Sequence, residues 1–125
     1  MPGDRISFKD MCARFDVTPS TQRYYEYIEL LAPQKEGRAR FYGPREVARM
    51  TLILRGRRFG FSLEEIRQWL LLYNQKGTSE QYQVWIAMAD RQLSDLERQR
   101  AELDETIADL RALRDETQDS LRIAD

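Results

Sequence analysis

From Thr78 onward the sequence settles into a seven-residue rhythm. Ile86, Leu93, Arg100, Ile107 and Arg114 fall on one heptad position, and Ala89, Leu96, Leu103, Leu110 and Thr117 on its partner. An apolar seam recurring every 3.5 residues, with charge on its flanks, is the pattern of a coiled coil. No other feature restricts the fold as much. Such a segment is one long helix that must cover a narrow stripe, either against a second helix or by folding back on its own domain. The narrowness of the stripe and its length favour the two-helix seam.

The pairing direction follows from the charges in the seam. A parallel pair in register sets Arg100 on Arg100 and Arg114 on Arg114. An antiparallel pair centred between Arg100 and Leu103 places Leu93 opposite Leu110, Leu96 opposite Ile107, and Arg114 opposite the small Ala89. Arg100 then meets Leu103 and reaches sideways toward Glu97 and Asp104. Like charges in one layer are costly, so the antiparallel arrangement is expected.

The rest of the chain has a different character. Residues 1–74 carry 13 Lys/Arg against 9 Asp/Glu, and residues 75–125 carry 7 against 12, so a net charge of −1 conceals halves of +4 and −5. The stretch "NQKGTS" divides them, and the expected organisation is a first domain over 1–75 and a linker with dimerisation helix over 76–125. There is no histidine and one cysteine, Cys12. Intrachain disulfides and Cys/His metal frameworks are thereby ruled out, and no catalytic constellation is visible. No apolar run reaches membrane-spanning length and no signal pattern opens the chain, which reads as cytoplasmic, with no membrane partner.

Ser7 is placed to cap a helix whose apolar face is Phe8, Met11, Cys12 and Phe15. Asp16 and Val17 leave room only for a tight turn before Thr18, a second cap, and Pro19 at the first helical position. Two short helices so joined form a helix-turn-helix unit. Beyond Pro33, "QKEGRARFY" reads as two short strands about a turn at Glu36-Gly37. A third helix follows Gly43 and Pro44 and ends at Gly60, with Val47, Met50, Leu52, Ile53 and Leu54 turned inward. Ser62 and Glu65 form a capping box for a fourth helix, which turns Leu63, Ile66, Trp69, Leu70 and Tyr73 inward.

The second helix of a helix-turn-helix puts its first turns nearest the bases of duplex DNA. Ser20, Thr21 and Arg23 have donors for phosphates or base edges, and Tyr24 offers a flat face and a hydroxyl. Tyr25, one residue round the helix, is expected to brace the core or the hairpin. A surface arginine beside two core aromatics fits these residues equally well. The hairpin tips the balance. Lys35, Arg38 and Arg40 straddle its turn, Arg40 alternates with Phe41 and Tyr42, and Arg55, Arg57 and Arg58 end the third helix. Three cationic sites on one small domain are the footprint of a phosphate-binding surface.

The run "TQRYYEYIELLAPQKEGRARFY", then "LRGRRFGFSLEEI" and a long C-terminal helix, resembles the MerR family of bacterial transcription regulators. The resemblance implies a mainly α fold: a winged helix-turn-helix DNA-binding domain with a small β-hairpin wing, followed by a long antiparallel coiled-coil dimerisation helix. It also implies a homodimer on a palindromic operator in double-stranded promoter DNA, acting on RNA polymerase indirectly by bending and underwinding an over-long spacer. By position, Thr21, Arg23 and Tyr24 are recognition-helix contacts, Arg40 and Tyr42 belong to the wing, and Arg55, Arg57 and Arg58 lie near a second wing. Three residues depart from the family pattern. Gln22 replaces an apolar residue, which points it to solvent or DNA. Ala39 stands where an aromatic often precedes the wing arginine. Cys12 takes the slot of a small alanine, as a core filler.

Metal-sensing members carry cysteines near the end of the coiled-coil helix, where this chain reads "DETQDSLRIAD", so neither a soft metal nor an iron–sulfur cluster is expected, nor any other cofactor. The run "LILRGRRFGFSLEEIRQWLLLY" looks most like the subgroup controlling branched-chain amino acid and acyl-CoA catabolism. Trp69, Tyr73, Tyr82 and Trp85 are candidate residues for an acyl-CoA or related effector; aromatic packing at a domain joint is the alternative.

Overall fold

The computed structural model describes residues 4–74 and 77–124, with the side chains of Tyr73 and Asn74 outside the described set. The elements run β1 (Ile6–Ser7), α1 (Phe8–Phe15), α2 (Pro19–Tyr27), β2 (Gln34–Glu36), β3 (Ala39–Tyr42), α3 (Pro44–Phe59), α4 (Leu63–Asn74) and α5 (Ser79–Ala124). They separate into two compact units, Met1–Gln81 and Tyr82–Asp125.

Each helix of the first unit begins as its residues dictate. The Ser7 hydroxyl accepts from the Asp10 amide, and the Thr18 hydroxyl accepts from the Thr21 amide ahead of Pro19. The Ser62–Glu65 box closes in both directions, at 3.0 and 3.2 Å. Thr78 and Gln81 form a second such box at the start of α5, which was not anticipated.

The helix ends share one device. After α1, α2 and α3 the chain turns through a left-handed residue, Asp16 (φ 52°), Glu29 (φ 65°) and Gly60 (φ 91°). In each case the following amide reaches back over six residues: Val17 to Cys12, Leu30 to Tyr25, Phe61 to Gly56. These are Schellman closures, with an apolar residue turned back onto the helix. Only Gly60 is of the residue type that makes such a turn legible in sequence.

The sheet has three strands where two were expected. β3 is central, with β2 and the short β1 antiparallel on either side. β1 pairs Ile6 with Tyr42 and Ser7 with Phe41. Two residues of strand leave almost no periodic signal, and β1 exists because β3 offers it an edge. The hairpin turn lies at Gly37-Arg38, one residue later than expected, because Glu36 pairs with Ala39. Gly37 has φ +61°, and no positive φ is found at Arg38. Glycine alone in the left-handed region, at the first central position, is the requirement of a type II′ turn.

The core of this unit gathers Met11, Tyr25, Leu30, Leu31, Tyr42, Met50, Ile53, Phe61, Ile66 and Leu70. α3 and α4 approach closely at Gly56, where an added Cβ would stand 2.8 Å from Ile66 Cγ1. The second unit is the helix α5 from Tyr82, part of a 46-residue element about 69 Å long. Its stripe lies open to solvent: Ile86, Leu93, Leu96, Leu103, Ile107 and Leu110 are all exposed, and Leu121 extends the stripe on the same heptad position.

Candidate nucleic-acid interface

The first turns of α2 present Ser20, Arg23 and Tyr24 outward, with Thr21 half-buried. Thr18 Oγ1 accepts from the Thr21 amide and donates to Thr21 Oγ1 at 2.9 Å. The Thr21 hydroxyl proton is left to donate elsewhere.

Arg23 does not stand alone. Its guanidinium lies 5.4 Å from the centre of the Phe8 ring, and that of Arg40 lies 5.8 Å from the same ring. Phe8, the first residue of α1, thus brings the recognition helix and the wing to one place. A groove of about 450 Å³ opens there, lined by Ser7, Phe8, Lys9, Arg23, Arg38, Ala39, Arg40 and Phe41. Three of the expected contacts, Arg23, Arg38 and Arg40, therefore converge. Lys9 and Phe8 were not anticipated: Lys9 reads as ordinary solvent face, and Phe8 as core.

The wing concentrates charge. Lys35 sits directly across from Arg40, a like-charge pair that costs stability on a sheet. Arg40 is steadied by Glu26 at 3.1 Å. Arg5 is held by Glu36 at 2.6 Å and lies 4.1 Å over the Phe41 ring, tying β1 to the wing. Hydrogen bonding to Glu36 raises the Arg5 pKa, and the same bond lowers that of Glu36.

Two expected surface residues are placed otherwise. Tyr42 is wholly buried, and its hydroxyl donates to Glu26. Its strand position faces the core beside Ile6, so its phenol braces the wing from within instead of meeting solvent. Burial, reinforced by the Glu26 carboxylate, pushes the phenol well above its ordinary range. Gln22 is also wholly buried and not solvent- or DNA-facing: it accepts from Cys12 Sγ at 3.4 Å and donates to the Phe8 carbonyl at 3.4 Å. A buried amide needs such partners, and α1 supplies both. Cys12 is buried and free, as a core filler should be, and burial raises its thiol pKa.

At the end of α3, Arg55, Arg57 and Arg58 are all exposed, and Arg57 also donates to the buried Tyr25 hydroxyl at 2.7 Å. Tyr25 braces the core as expected. Of the four candidate effector residues, Trp69 packs with Phe59 at 6.3 Å between ring centres in the first unit, and the side chain of Tyr73 lies outside the described residues. Tyr82 and Trp85 belong to the second unit; the indole Nε1 of Trp85 is buried without a hydrogen-bond partner among the described residues. Among the described residues no group of three or more His, Cys, Asp or Glu could hold a metal ion, and no helix is long and apolar enough to cross a membrane.

A helix-turn-helix whose second helix shares a cationic groove with a β-hairpin wing defines a DNA-binding regulatory protein. Two family descriptions match: "MerR HTH family regulatory protein" over residues 6–72, and "MerR, DNA binding" over residues 47–118. The chain belongs to the MerR family, whose members are transcription regulators and not enzymes. It is 41% identical over 64 residues to the transcriptional regulator HmrR of Rhizobium leguminosarum, covering 50% of each chain. It is 31% identical over 93 residues to heavy metal-dependent transcription regulator 2 of Rhizobium meliloti, covering 73% of this chain and 62% of that one. The matches thus span about half to three fifths of these relatives. In fold it resembles HiNmlR, a MerR family regulator lacking the sensor domain and bound to promoter DNA, with a TM-score of 0.63, 15% identity, and coverage of 82% of this chain and 78% of that one.

Proposed function

We propose that this chain is a sequence-specific transcription regulator that binds a palindromic operator as a homodimer and bends and underwinds promoter DNA, so that RNA polymerase is affected indirectly. The observation that carries the reading is the convergence of Arg23 from α2 with Arg38 and Arg40 from the wing on one groove. Residues 1–75 form the DNA-binding domain, with Ser20, Thr21, Arg23 and Tyr24 on the recognition helix, Lys35, Arg38 and Arg40 on the wing, and Arg55, Arg57 and Arg58 as outlying phosphate contacts. Residues 76–125 form the linker and dimerisation helix. The exposed stripe from Ile86 to Leu110 supports an antiparallel coiled coil with a second copy. The regulator works in the cytoplasm.

A finer placement follows from the α3–α4 run: membership of the subgroup controlling branched-chain amino acid and acyl-CoA catabolism, with an acyl-CoA or related metabolite as effector. A metal ion, as the name of the heavy metal-dependent Rhizobium meliloti relative suggests, is the rival effector. Tryptophan fluorescence that responds to an acyl-CoA panel, and not to Zn²⁺ or Pb²⁺, supports this placement; indifference to the panel removes it.

The test of function is retention of duplex DNA with a steep fall in affinity as salt rises. A footprint on the promoter upstream of its own gene, with altered transcript yield in vitro, is the expected result. A footprint without any transcriptional effect makes the protein architectural or a recombination accessory. A failure to bind duplex at low ionic strength leaves only a coiled-coil adaptor.

A further inference from the structure

Glu26 is a carboxylate 3.1 Å from Arg40, an arginine that lines the groove where DNA phosphates are to be bound. Placed there it cancels positive charge and lowers attraction for any duplex. Its geometry gives a reason for its presence. Glu26 projects from α2, and both its partners come from β3: the Arg40 guanidinium forms an ion pair with it and the Tyr42 hydroxyl donates to it. One side chain, only 11% exposed, therefore fastens the wing to the recognition helix at two points. Arg40 held in this way lies over one ring, Phe8, that Arg23 also approaches.

We infer that Glu26 is a positioning residue that sets specificity: it fixes the wing arginine relative to the recognition helix and weakens charge-driven binding to non-operator DNA. The inference rests on the regulator reading above. On random duplex, affinity comes from charge, and the Glu26 carboxylate subtracts from it. On operator, the fixed spacing of Arg23 and Arg40 lets base and backbone contacts form together, and the restraint helps. Removing the charge while keeping the acceptor for Tyr42 should therefore move the two affinities in opposite directions.

The experiment uses the full chain with an operator duplex selected by the wild-type protein from a random pool, and a scrambled duplex of equal length. Glu26→Gln should tighten the scrambled duplex, steepen its log K against log salt slope by about 1, and lower the operator-to-scrambled ratio by about tenfold. In an Arg40→Gln background the same change should leave that ratio alone. A purely structural role would weaken both duplexes by one factor, and that result overturns the inference, as does an unchanged ratio. If Glu26→Gln does not fold, Glu26→Asp serves: it keeps the charge but shortens the reach, so operator binding should weaken while scrambled binding holds, and equal effects overturn the inference. A wild-type protein that retains no duplex at all removes the regulator reading itself; one that discriminates while both variants keep its ratio removes only the role of Glu26.

Discussion

Arg23 stands over the Phe8 ring while Gln22, its neighbour, is wholly buried; a rotation of about 100° along α2 separates an interface residue from a core one. Replacing Arg23 with alanine is expected to weaken operator binding by about 1–3 kcal/mol and relax one base preference. Binding titrations on duplexes varied one position at a time check this; a loss uniform across sequences makes Arg23 a phosphate contact. Tyr42 allows a prediction against pH. Its folded pKa lies above the ordinary 10.0, so the folded state holds the proton more tightly than the unfolded chain. The stability it contributes is intact below pH 10 and is lost as pH rises beyond it. Tyr42→Phe should cost about 1.5–3 kcal/mol at neutral pH, the worth of a buried hydrogen bond to a charged acceptor. The gap between wild type and variant should then narrow in denaturant titrations at alkaline pH. A gap that stays constant contradicts the assignment.

At the scale of elements, the helix ends and the α3–α4 contact decide the outcome. Glu29 holds φ 65° at the close of α2, where a side chain costs about 1–2 kcal/mol relative to glycine. The greater freedom of an unfolded glycine returns part of that, roughly 0.5–1 kcal/mol. Glu29→Gly is therefore expected to stabilise by about 0.5–1 kcal/mol, read as a rise in the thermal midpoint. Gly56 shows the opposite case. An alanine there meets Ile66 at 2.8 Å and Trp69 at 3.4 Å. Overpacking of about 1–3 kcal/mol outweighs the ~1 kcal/mol that alanine gains in a helix, so Gly56→Ala should lower the midpoint. The caps at Ser7, Thr18 and Ser62 were legible because a hydroxyl three residues ahead of a free amide is a local arrangement. The two non-glycine Schellman turns were not, since Asp16 and Glu29 adopt positive φ only because Val17 and Leu30 turn back onto their helices.

For the whole molecule the decisive feature is the uncovered stripe of α5. Leu93 and Leu110 are each more than half exposed in the single chain. A second copy laid along the same stripe would cover them. With antiparallel pairing, a chain carrying Leu93→Cys mixed with one carrying Leu110→Cys should oxidise to a covalent heterodimer. Leu93→Cys alone should cross-link poorly; Cys12 is buried and should not compete. Efficient Leu93-to-Leu93 cross-linking would instead establish a parallel pair. Sedimentation of the unmodified chain should give a dimer.

The sequence alone determined whatever depends on neighbours along the chain: five helices with most of their caps, the hairpin, the heptad stripe and the basic sites. Those signals are local, because hydroxyl, proline and glycine act within a turn and apolar periodicity states which face needs cover. Tertiary structure alone decided the third strand, the burial of Gln22 and Tyr42, and the meeting of Lys9, Arg23 and Arg40 around Phe8. Each depends on groups brought together from separate segments. A buried amide or phenol is tolerated only where the fold supplies its partner, and no reading along the chain reveals which distant group that is.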